Sequence, residues 1–123
     1  MKKLLIVTLL AILPILSFAK VPDCDSWPMQ MSTTWLQKTG IVSIEDLDKS
    51  KIQSTLLASE KKAKGLYTQI YHFIFYDKKG NIYETITKND ASFEECSETG
   101  VDVYLISKSY INKRVNINKR VNK

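Results

Sequence analysis

The pattern of apolar and polar positions divides the chain into a leading apolar run, one helical stripe, a set of strand-like segments and a charged tail. Residues 4–16 form an apolar run broken by Thr8 and Pro14 alone and lie behind Lys2 and Lys3. Ser17 and Ala19 place small residues three and one before a cut ahead of Lys20. The run is about 13 residues, shorter than the roughly 20 that a bilayer-spanning helix needs. The pattern predicts a cleaved secretory signal peptide at 1–19 rather than a retained anchor. It is bacterial in character, which points to the periplasm or the medium. Cys24 follows Val21, Pro22 and Asp23 rather than the small and apolar residues that precede a lipidated cysteine.

Helical spacing comes next. Trp27, Met31 and Trp35 recur at i, i+4 and i+8 with Leu36 beside them, predicting a helix whose aromatic stripe packs on a sheet. Ser26 or Trp27 is the expected cap, Pro28 suits the first turn and Gly40 the left-handed residue past the end. Between 41 and 65 the pattern is ambiguous. Ile41, Ile44 and Leu47 suit an irregular turn. Residues 51–60 suit a strand with Ile52, Ser54, Leu56 and Ala58 on one side, or a helix through Ile52, Leu56 and Ala63; serine and threonine favour the strand.

Leu66–Tyr76 is dense in aromatic and β-branched residues on both faces, the pattern of a central strand with a helix on one side. Asp77 to Asn81 reads as a turn with Gly80 at the position needing positive φ. A return strand over 82–88 would pair Phe75 with Tyr83, Phe73 with Thr85 and His72 with Ile86. Ser92 and Glu95 fit a capping box and predict one short helical turn ended by Gly100. Residues 101–107 form the expected last strand, with Val101, Val103 and Leu105 on one face. The sum is α+β: an N-terminal amphipathic helix packed on a three- to four-stranded antiparallel sheet.

Composition refines this picture. After removal of 1–19 about 104 residues remain, enough for one domain and too few for two. Cys24 and Cys96 are the two cysteines, both in the exported part, and in an oxidising compartment they are expected to form a disulfide. It would close a loop of roughly 73 residues, worth about 4 kcal/mol. The net charge of +5 conceals a division. Residues 20–107 hold ten lysines against thirteen acids, whereas 108–123 hold six basic residues and no acid. The expected organisation is a signal peptide at 1–19, one small domain at 20–108 and a basic tail at 109–123. Within that tail INKRVN at 111–116 is repeated letter for letter at 117–122. It is expected to be a slippage duplication in a tolerant terminus, either disordered or prolonging the last strand; the alternative is a basic arm that touches anionic lipid, glycan or an acidic partner.

The residues that carry chemistry are sparse. His72 is the sole histidine, sits mid-strand and has no assignable serine or cysteine nucleophile. Acids gather at Glu45, Asp46 and Asp48, and again at Asp90, Glu94, Glu95, Glu98 and Asp102. The second group could bind calcium if the loop folds around it, but it lacks EF-hand spacing. Nor do the cysteines have the spacing of a redox or metal motif. No catalytic, cofactor-binding or metal site is assigned, and the domain carries no nucleic-acid footprint.

The segment NDASFEECSETGVDVYLISK at 89–108, with LASEK at 57–61 and DCDSWP at 23–28, resembles a group of small exported bacterial proteins of unassigned function. The resemblance implies a shared fold and an early-to-late cysteine pair; it brings no activity. The doubled hexad departs from it. The expected function is therefore a non-enzymatic exported binding protein of the bacterial envelope, inhibitor- or immunity-like. Its partner would be another envelope or secreted protein, with no stable membrane insertion after cleavage. The alternatives are an accessory piece of an envelope or secretion assembly and a small hydrolase using carboxylates.

Overall fold

The computed structural model describes residues 20–110. The signal-peptide reading of 1–19 and the repeated hexads from Ile111 onward lie outside the described residues. Helix α1 (Ser26–Lys38) is followed by two single 3-10 turns, at Ile44–Asp46 and Lys49–Lys51. Four strands follow: β1 (Gln53–Ala63), β2 (Leu66–Tyr76), β3 (Ile82–Ala91) and β4 (Asp102–Ser109). They form one antiparallel sheet in sequential order β1-β2-β3-β4. The class is α+β, with one helix against a four-stranded sheet and a Cys24–Cys96 disulfide. The helix is not at the N-terminus of the chain: the described segment 20–25 leads into it.

Strand alternation sorts the sheet into two faces. Gln69, Tyr71, Phe73 and Phe75 of β2, with Tyr83, Thr85, Thr87, Asn89 and Ala91 of β3, are buried on the inner face. Their partners are as the pattern predicts: Phe75 with Tyr83, Phe73 with Thr85, His72 with Ile86. The strand β3 runs three residues beyond the expected 88, because Asn89 and Ala91 also find partners on β2. Leu36, Leu47, Tyr71, Phe73, Phe75 and Tyr83 make the core.

The helix corrects one expectation. Its fully buried positions are Pro28, Ser32 and Leu36, again at i, i+4 and i+8 but one step on from the aromatic stripe. Trp27, Met31 and Trp35 are only partly buried. The reason lies in the sheet, whose centre under the helix is polar. Thr85 requires a hydrogen-bonding partner when buried, and Ser32 supplies one at 3.1 Å. A small residue at 32 also lets the helix approach closely, leaving the tryptophans at the margins. The N-cap is Asp25, not Ser26 or Trp27, and it makes no capping hydrogen bond; its carboxylate accepts from the Ser54 hydroxyl at 3.2 Å instead. Gly40 has the expected positive φ of 74°.

Residues 53–63 are a strand, resolving the ambiguity, but its side chains do not keep one face. Ser54 and Leu56 pair with Phe73 and Tyr71, whereas Ala58 pairs with Ile70 of the opposite face. A bulge at Leu57 inserts one extra residue and reverses the alternation. A second irregularity lies between Lys61 and Ala63. The expected helical turn at 92–95 is also absent, although half of the capping box is present. The Glu95 N–H donates to Ser92 Oγ at 3.0 Å, but the Glu95 carboxylate accepts from Ser97 rather than reaching back. At the other end, β4 extends to Ser109 and Tyr110 packs edge-on against Tyr83, so the ordered fold passes residue 108.

Candidate functional site

Two polar side chains position the disulfide. Gln69 and Asn89 are cross-strand neighbours on the inner face. Gln69 Nε2 donates to the Pro22 carbonyl at 2.8 Å, and Asn89 Nδ2 donates to the Cys96 carbonyl at 2.9 Å. One amide thus holds the segment carrying Cys24 and the other the segment carrying Cys96. The cysteines meet at a Cα–Cα distance of 5.3 Å across 72 positions of sequence. The Cys24 N–H donates to the Tyr71 hydroxyl oxygen at 3.3 Å. Burial pushes the Tyr71 phenol up; that N–H opposes the shift, and the nearby Asp25 and Asp23 carboxylates add to it. The disulfide is structural in placement, with Cys24 almost fully buried.

Behind the sheet, no described element covers the outer face. Ile70, His72, Ile74 and Tyr76 of β2 lie there beside Ile82, Glu84 and Ile86 of β3, and Tyr104 of β4 stands opposite Ile86. The β2 and β3 side chains are half-buried by one another, while Tyr104 is 55 % exposed. Ile106, 54 % exposed, occupies the bulge of β4, and Leu57, also 54 %, that of β1. In the middle of this surface His72 Nε2 lies 3.0 Å from Glu84 Oε1. Thr55 and Ile86 are the cross-strand neighbours of His72, so no cysteine or serine nucleophile stands opposite it. The arrangement is a polar pair set in an apolar face.

The acidic groups do not converge. Asp90 accepts from the Thr68 hydroxyl at 2.6 Å and lies 3.7 Å from the Lys62 ammonium. Glu95 is taken up by Ser97 and Glu98 by Ser92. Asp48 accepts from Ser50, within its own turn, which holds its carboxyl below the usual range. Among the described residues no group of three or more histidine, cysteine, aspartate or glutamate side chains could hold a metal ion. The calcium reading of 90–102 accordingly finds no clustered ligand set.

A feature invisible to sequence reading is a trough of about 660 Å³ on the helix side of β1. Met29 and Thr33 of α1 form one wall, Ile52 and Ser54 the other, with Leu47 between them. Beyond the Asp25–Ser54 hydrogen bond it continues into a smaller hollow of about 340 Å³ lined by Leu56, Tyr71 and Asp23. The trough exists because α1 lies over β3 and β4, leaving the inner side of β1 to the loop 41–52. Nothing in local sequence signals it, since Asp25 and Ser54 stand 29 positions apart. No family model, curated protein or solved structure matches the chain.

Proposed function

We propose that this chain is a small exported protein of the bacterial envelope that acts by binding another protein through the uncovered outer face of its sheet. The observation that carries the reading is that face itself. Antiparallel sheets commonly present one solvated face of polar residues, yet here Ile70, Ile74, Ile82 and Ile86 with Tyr104 occupy it. Contiguous apolar surface edged by polar groups is the usual mark of a protein contact, with tyrosine prominent among anchoring residues. The disulfide supports export, because such bonds persist in oxidising compartments. The kinship with small exported bacterial proteins suggested by residues 89–108 belongs to the same proposal.

The test is affinity recovery from periplasmic extract, run in parallel with the wild-type protein and an Ile74→Lys/Tyr104→Lys double variant. The reading requires one protein at near-stoichiometric yield with the wild type and its loss with the variant. Retention of that partner by the variant, or recovery of bait alone from both, would refute it. Circular dichroism establishes that the variant is folded, which is expected because both positions are outside the core.

A further inference from the structure

We infer that the outer edge of β1 pairs with β1 of a second copy of this chain, antiparallel and about a two-fold axis at the Leu57–Ala58 peptide. The edge is open. β1 is the outermost strand, and among the described residues no backbone hydrogen bond joins it to anything outside the sheet. All of its residues are exposed except Ser59, which is partly so. An unpaired strand edge is a template for another strand.

The bulge gives the strand its register. Residues opposed across a strand pair must share a face, and face alternates along each strand. Leu57 breaks that alternation. Ser54 and Leu56 before it lie on the inner face, opposite Phe73 and Tyr71, and Ser59 and Lys61 after it lie there too, opposite Gln69 and Tyr67. Thr55 and Glu60 lie on the outer face, opposite His72 and Thr68. Counted outward from the Leu57–Ala58 peptide, Leu56, Thr55 and Ser54 run inner, outer, inner, and so do Ser59, Glu60 and Lys61. The strand is thus its own complement, as an isologous two-fold interface requires. A copy rotated about that peptide sets Leu56 against Ser59, Thr55 against Glu60 and Ser54 against Lys61. Backbone N–H and C=O groups change direction with the same period, so this register also brings donors to acceptors.

Charge supports the same register. The Ser54 hydroxyl donates to Asp25 at 3.2 Å, and among the described residues no cation lies within ion-pair distance of that carboxylate. Cβ atoms of directly opposed residues stand about 4.5–5.5 Å apart, so Lys61 of the second copy reaches Asp25 beside Ser54. The two-fold axis repeats the pair. A slip of two residues one way sets Ser59 against Ser54 in place of the lysine; the other way it opposes the outer Ala58 to the inner Ser59. The remaining cations of this edge do not oppose the pairing. Lys62 falls opposite Gln53 and lies 3.7 Å from Asp90, while Lys51 lies 3.9 Å from Asp48. Lys49 and Lys64 belong to the turns at either end of β1, beyond the paired span. At the opposite edge β4 also has a bulge, at Ile106, but the corresponding rotation sets Lys108 against Val103 and Asp102 against Ser109. The self-complementary charge is at β1 alone. The inference stands independently of the partner proposed for the outer face, which the pairing would present twice on one continuous sheet.

The experiment is sedimentation equilibrium on the purified wild type, Lys61→Glu and the Asp25→Lys/Lys61→Glu double variant, with circular dichroism on each. The wild type is expected to dimerise. Lys61→Glu should raise the dissociation constant about tenfold, through loss of two exposed ion pairs, and the double variant should recover it. Carbodiimide coupling of mixed isotope-labelled and unlabelled wild type should yield Asp25–Lys61 bonds between copies, and decides alone if a variant fails to fold. A wild type monomeric at millimolar concentration would overturn the inference. So would a dimer indifferent to Lys61→Glu, a double variant no tighter than the single one, or Asp25–Lys61 coupling confined within single copies.

Discussion

Replacing Cys96 with serine tests how this small domain is held together. The bond joins the segment before α1 to the connection between β3 and β4 across 72 positions. In the chain-entropy treatment, a closed loop of that length removes about 15 cal/mol/K from the unfolded ensemble, or roughly 4 kcal/mol at 25 °C. Measured losses for small secreted domains span about 2–5 kcal/mol. For a domain of this size each kcal/mol moves the melting temperature by about 4–8 °C, so a fall of at least about 8 °C is expected. Thermal unfolding followed by circular dichroism, with wild type under oxidising and reducing conditions, checks it. The reduced wild type should melt with the variant, since both lack the same constraint. An unchanged midpoint for Cys96→Ser would show that Gln69 and Asn89 alone hold the two segments, and the reasoning would fail.

Further outcomes follow from individual contacts. Gln69→Ala leaves the buried Pro22 carbonyl without its donor and should cost about 1–3 kcal/mol by urea titration, while a neutral effect would remove its positioning role. Leu36→Ala, at a fully buried position, should cost about 2–5 kcal/mol in the same assay. Burial pushes the Asp77 carboxyl up, but hydrogen bonds from Asn81, Tyr83 and Lys79 outweigh it and hold the group below its usual value. Its stabilisation is therefore complete above the ordinary carboxylate range and lost as pH falls through the depressed value; Asp77→Asn should flatten the acid limb of the stability–pH curve below about pH 4. Burial, with the Asp77 hydrogen bond, pushes Tyr83 up to about 12, so its contribution is intact below about pH 10 and disappears as pH rises toward the raised value. Tyr83→Phe should remove that alkaline loss. Intact mass of protein from the periplasm should begin at Lys20 and be about two daltons light before reduction, and an uncleaved mass with free thiols would refute export.

The sequence alone determined those elements whose signal is local. Eleven residues dense in aromatic and β-branched side chains can form little but β2, and Gly80 after Asp77 fixes the hairpin that sets the β2–β3 register. Pro28 and Gly40 bracket α1 for equally local reasons. The two cysteines announced their pairing because there was nothing else for either to pair with. Tertiary structure decided the rest. Which helical stripe turns inward depended on Thr85 needing Ser32 across 53 positions, and a polar requirement in the sheet outweighed the larger apolar area of the tryptophans. The faces of β1 depended on a bulge at Leu57, which period-two patterning cannot show. The capping-box letters at Ser92 and Glu95 gave no helix because Ser97 competes for the same carboxylate. The outer face and the trough arise in the same way. The outer face is open because one helix covers one side, and the trough exists because that helix lies over β3 and β4 rather than β1. Those are properties of how elements stack, and stacking is decided by side chains distant in sequence.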